Sequence, residues 1–113
     1  MNVLGNLQKL ARFSPEKLVK VTLHESGHLL LGLNCLETGQ SQPAHRHAGA
    51  DKFYYVASGR ARFVVGDATL EAGAGEIVLC PAGEPHGIER ALERTTLLVG
   101  IAPWQLKEGL TSS

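Results

Sequence analysis

The sequence has little cysteine, no net charge and no long apolar run. Only Cys35 and Cys80 occur in 113 residues, so a disulfide framework is not indicated and a reducing cytoplasm is the expected setting. Eleven basic side chains balance eleven acidic ones. With no basic surplus, neither nucleic acid nor an anionic membrane is an expected partner. The longest apolar stretches, such as HLLLGLNCL at 28–36, fall well short of the about 20 residues that span a bilayer. The opening MNVLGNLQKLARF lacks the basic cluster, apolar core and small-residue cleavage site of a secretory signal. What remains is a small-molecule partner, met by a chain long enough for one hydrophobic core and too short for two; residues 1–113 read as a single domain.

What the chain does have is punctuation. Thirteen glycines and five prolines are spread through the sequence and separate short runs, as expected of many short strands. Val3, Leu4, Leu7, Leu10 and Ala11 recur at three and four, which allows one short N-terminal helix that Gly5 weakens. Val19, Val21 and Leu23 then alternate with Lys20, Thr22 and His24, the period of a half-buried strand. After the ESG turn at 25–27, Leu29 to Leu36 is apolar on both faces, as for a strand between two layers. Phe53 to Val56, RARFVV at 60–65, a brief strand around Leu70, Glu76 to Cys80, and TTLLVGIAP at 95–103 complete the set, with a hairpin turn at Gly66-Asp67. Such even spacing with no strong helix after residue 13 predicts an all-β sandwich or barrel.

Two segments carry chemistry. In PAHRH, His45 and His47 lie two apart, so in an extended backbone both imidazoles leave the same face and can reach one ion. In GEIVLCPAGEPHG, Pro81 fixes φ for the first central position of a tight turn and Gly83 suits its end; the strand stops and His86 is presented at a defined place. His24 and His28 bracket the ESG turn and read as surface residues. Cys80, in an apolar strand, reads as core.

Together the segments resemble the paired motifs of the cupin superfamily. Gly39, five residues, His45-Arg46-His47 and Gly59 fall in place for the first motif, about 39–59; Gly75, Pro81, Gly83 and His86 do so for the second, about 75–90. The resemblance implies a jelly-roll or double-stranded β-helix barrel with little helix, a homodimer, and a divalent transition metal (zinc, nickel, iron, copper or manganese) held inside by His45, His47 and His86.

The sequence departs from the motifs at two positions. Lys52 stands where the first motif has a glutamate, and Arg90 where the second closes on asparagine. An ammonium about 4 Å from a divalent ion is repelled by roughly 8 kcal/mol at an effective dielectric near 20. Three resolutions are open: the lysine tip swings away, it loses its proton, or no metal binds. Asp51 is the substitute ligand if AGAD at 48–51 is loop or bulged, which Gly49 permits; on a regular strand it points away from Lys52's face. Tyr54 shares parity with Lys52, and its phenol is placed to line the cavity and donate to a ligand. Trp104 and Leu106 follow the last strand and read as cover for a sheet edge or a subunit contact.

Three neutral imidazoles leave an ion with open positions, as metal catalysis requires, and the resemblance implies a dioxygenase-like enzyme first and sugar isomerisation behind it. The alternative is a non-catalytic binding module in which Lys52 replaces the ion and binds an anionic group.

Overall fold

A computed structural model describes residues 3–105. One helical turn, α1 (Leu7–Leu10), precedes nine strands: β1 (Val19–Glu25), β2 (Leu30–Leu36), β3 (Gln42–His45), β4 (Asp51–Ser58), β5 (Arg60–Val65), β6 (Ala68–Gly73), β7 (Ile77–Cys80), β8 (His86–Ala91) and β9 (Thr95–Ala102). They form two antiparallel sheets that face each other, one of five strands in the order β1-β2-β9-β4-β7 and one of four in the order β3-β8-β5-β6. The all-β architecture expected from the spacing of turns, and the jelly roll that the resemblance implies, are what is found.

The register decides what points inward, because residues directly opposite on neighbouring strands share a face. Across the larger sheet, Tyr54 opposes Val99 and Val78, Val56 opposes Leu97, and Lys52 opposes Ile101 and Cys80; Leu30 opposes Ile101 and Asn34 opposes Leu97. The apolar members of this set join Phe63, Ile88, Ala61 and Ala72 of the smaller sheet in one buried cluster. Burying side chains of this size contributes about 1.5–3 kcal/mol each. Set into the same inward face are polar groups that such a core would ordinarily exclude: Asn34, Gln42, Lys52 and His86, each at most 5% exposed.

The helix is shorter than the apolar recurrence suggests. Gly5 sits at φ +140°, outside the helical range, and Asn6 caps a helix that starts after it, its side chain accepting from the backbone N–H of Gln8 at 3.0 Å and Lys9 at 3.3 Å. β2 is buried on both faces as predicted, but its outer cover is the N-terminal segment, not a second sheet. The Arg12 backbone lies against the Cys35 thiol, the Arg94 guanidinium stacks 3.7 Å over Phe13, and Gln40 donates to the Ser14 carbonyl at 2.8 Å. Strands β3 and β8 are additions to the sequence reading, and both carry the site.

Candidate metal centre

β3 and β8 pair so that His45 lies opposite His86. His47 follows β3 in a loop held to the second motif's turn: the Gly83 N–H donates to the His47 carbonyl at 3.0 Å, and Gly83, at φ +79°, takes the left-handed conformation that favours glycine. The three rings meet. Their centroids are 5.0 Å (His45–His47), 4.5 Å (His45–His86) and 5.4 Å (His47–His86) apart, and one nitrogen from each falls within 4.8 Å of the others. Histidines some forty residues apart thus converge on one point.

Their tautomers are set by backbone carbonyls. His45 Nδ1 lies 3.1 Å from the Pro43 oxygen and His86 Nδ1 lies 3.0 Å from the Glu84 oxygen. A carbonyl can only accept, so each Nδ1 carries the proton and each Nε2 presents its lone pair. His86 Nε2 and His47 Nε2 are buried with no hydrogen-bond partner. Imidazole nitrogens turned to a shared point, with the His45 and His86 rings backed by carbonyls on the far side, form the donor set a divalent transition metal takes.

The cupin-domain family pattern matches residues 32–99, a span that includes all three histidines and both motifs. The chain is a cupin. It is similar to an uncharacterized protein of Streptomyces coelicolor, 34% identical over 76 residues that cover 67% of this chain and 71% of that one. Among solved structures, one from Thermus thermophilus is 37% identical with a TM-score of 0.82, covering 88% of this chain and 95% of the other. An RmlC-like cupin from Desulfovibrio desulfuricans is 32% identical with the same TM-score, covering 91% and 97%.

Lys52 gives this cupin centre its character. It is 1% exposed, with Nζ 3.4 Å from His45 Nε2 and 4.4 Å from the centroid of the Tyr54 ring. The tip has not swung out to water. It donates into the lone pair a metal would use, while the aromatic face supports its charge. Burial pushes its pKa down to about 7, so the amine is close to giving up its proton at neutral pH. Burial also depresses His47 and His86 to about 4, with Lys52 adding to both, and lowers His45; the triad stays neutral at pH 7, as ligands must.

The other candidates fall as follows. Asp51 opens β4 in regular register with β9, so no bulge turns it inward. It is exposed, lies outside the histidine cluster, and accepts from the Ala82 N–H at 2.9 Å, bracing the turn before His86. Tyr54 lines the interior at 0% exposure, but its hydroxyl donates to Gln42 Oε1 at 2.7 Å; the expectation of a phenol donating to a ligand is corrected to a ring face supporting Lys52. Cys80 is core, its thiol pushed up to about 11 by burial, and His24, His28 and Arg90 are exposed. Leu106 lies outside the described residues.

Sequence reasoning missed Trp104 as a neighbour of the site: its ring lies 6.4 Å from that of His47, tethered by an indole N–H donated to Glu25 at 2.8 Å. It also missed Gln42, Lys20 and Asn34. For Asn34 a signal existed, a lone amide amid the apolar run 29–36. Nothing local marks Lys20.

Proposed function

We propose that this cupin holds a divalent transition metal on His45, His47 and His86 and uses it on a small molecule in the barrel, with dioxygenase-like oxidation as the reaction class. The observation that carries this reading is the convergence of three neutral imidazoles, two with buried, unpartnered Nε2 atoms. A divalent ion bound there would supply open coordination positions and Lewis acidity. The chain's own residues do the rest. The Pro43 and Glu84 carbonyls hold two imidazoles in the ligating tautomer, Lys52 releases His45 and offers an N–H donor to the guest, and Tyr54 and the core around it keep water away. The two cysteines, free and buried, support a cytoplasmic setting.

A second reading rests on Lys52 itself. Because its ammonium already occupies the His45 lone pair, the barrel would bind a small anion without metal and catalyse nothing. Elemental analysis of protein purified without chelator, beside Lys52→Glu, separates the two: about one ion per chain in the wild type supports the metal centre, whereas an empty wild type beside a filled variant establishes the second reading.

Assembly as a homodimer belongs to the same proposal. Ile77 and Leu79 are 66% and 62% exposed on β7, an edge strand, and oppose Tyr55 and Phe53. This uncharged row beside an unpaired strand edge suits a second copy.

A further inference from the structure

Among the described residues the buried polar side chains are Asn34, Gln42, Lys52, His86, Thr95 and Thr96, and none of them is a carboxylate. Every described aspartate and glutamate is exposed except Glu37, which is half-buried and pairs with Arg94 at 3.3 Å. Lys52, fully buried, takes part in none of the ion pairs found among the described residues. Lys20 opposes Asn34 across β1 and β2 and so lies on the same face, exposed on the edge strand of the larger sheet; its charge is felt at His45, His47 and Lys52. Asn34 is 0% exposed and neither its amide nitrogen nor its amide oxygen has a partner. Its neighbours of the same parity, Leu30 and Leu36, belong to the barrel core, whereas Leu33 and Cys35 of the opposite parity do not. The amide is thus aimed into the interior.

A withdrawn ammonium without a counter-ion and a withdrawn amide without partners are both costly. One kind of guest relieves both. We propose that the barrel receives a small molecule bearing an oxyanion, carboxylate or phosphate, held by Lys52 and Lys20 with the Asn34 amide as a further hydrogen-bonding partner. This rests on the reading of the barrel interior as the ligand chamber, and it holds with or without metal.

Calorimetric titration of the chelator-treated full chain and of the zinc-loaded chain, with succinate, inorganic phosphate and neutral succinamide, tests it. At least one of the two anions is expected to bind and succinamide is not; succinate alone assigns a carboxylate, phosphate alone a phosphate. Lys20→Gln should weaken the anion by about tenfold and Lys20→Arg should restore it. Asn34→Leu, which keeps the branching and the number of side-chain heavy atoms, should raise the melting temperature of the unliganded protein while weakening the anion about fivefold. Equal binding of succinamide, no binding of either anion in both forms, an unchanged affinity in Lys20→Gln, or a lower melting temperature in Asn34→Leu would overturn the proposal. Zinc stoichiometry on the same samples keeps the two readings apart. Normal zinc uptake without anion binding sinks this inference alone, and anion binding without zinc uptake sinks the metal centre alone.

Discussion

Lys52 is a lysine withdrawn from water at a position where the motif it resembles has a carboxylate, and its energetics have a definite sign. The folded pKa, about 7, lies below the 10.5 of an unperturbed lysine, so between those values the unfolded chain binds more protons than the native one. Stability therefore rises with pH across that window and is offset by a constant amount below it. Lys52→Met keeps the stem volume and removes the charge. The variant is expected to be more stable than the parent at pH 7, by on the order of a few kcal/mol, and to lose the rise toward pH 9; urea unfolding at the two pH values checks this, and a variant weaker at pH 7 contradicts it. The histidines act on the acid side. His47 and His86 are depressed to about 4 from 6.5, so the stability of their neutral forms is intact above 6.5 and is lost as pH falls from 6.5 toward 4. His86, 1% exposed, carries more of this than half-buried His47, where water screens the charge. His86→Gln should flatten the fall in urea midpoint between pH 6.5 and 4. The triad was legible in the sequence because glycine and proline spacing fixes where each histidine is presented. Lys20 was not, because the face it shares with Asn34 depends on a register between strands that no local pattern states.

At the scale of the element, the second motif's turn is what brings His86 to its place. Asp51 braces that turn from the next strand through the Ala82 N–H, which gives it a positioning part. Asp51→Ala is expected to cost about 1 kcal/mol in thermal or urea unfolding and to leave the number of bound zinc ions per chain unchanged; loss of the bound ion would restore Asp51 as a ligand. Gly59 is more constrained. It sits at φ +88°, and a Cβ there would collide with the Arg94 carbonyl and with Thr95. Gly59→Ala should destabilise the fold by more than about 1 kcal/mol, visible as a lowered urea midpoint. Strands β1, β2, β4, β5 and β9 were legible because each is six to eight residues long with an alternating or fully apolar pattern. β3 was hidden: it is four residues long and contains Pro43. β8 begins at His86 with Gly87 next, so its start reads as turn.

For the whole molecule, the all-β class followed from the even spacing of turns and the absence of helical patterning, and the cupin motifs then supplied the jelly roll and the end of the barrel where the histidines lie. No helix among the described residues is long and apolar enough to cross a membrane. The proposed homodimer has its own test: Ile77→Lys with Leu79→Lys should reduce the mass measured by light scattering from that of two chains to that of one, leaving the circular dichroism of the strands unchanged. The central claim is narrower than any of these, namely that three rings from two distant segments share one ion. Anomalous diffraction at the zinc edge from crystals grown without chelator and soaked in zinc tests it most directly. The account predicts one peak inside each barrel, about 2.0–2.1 Å from a nitrogen of His45, His47 and His86, with the Lys52 amine displaced from His45. A barrel without a peak, with Lys52 still hydrogen-bonded to His45, would contradict it.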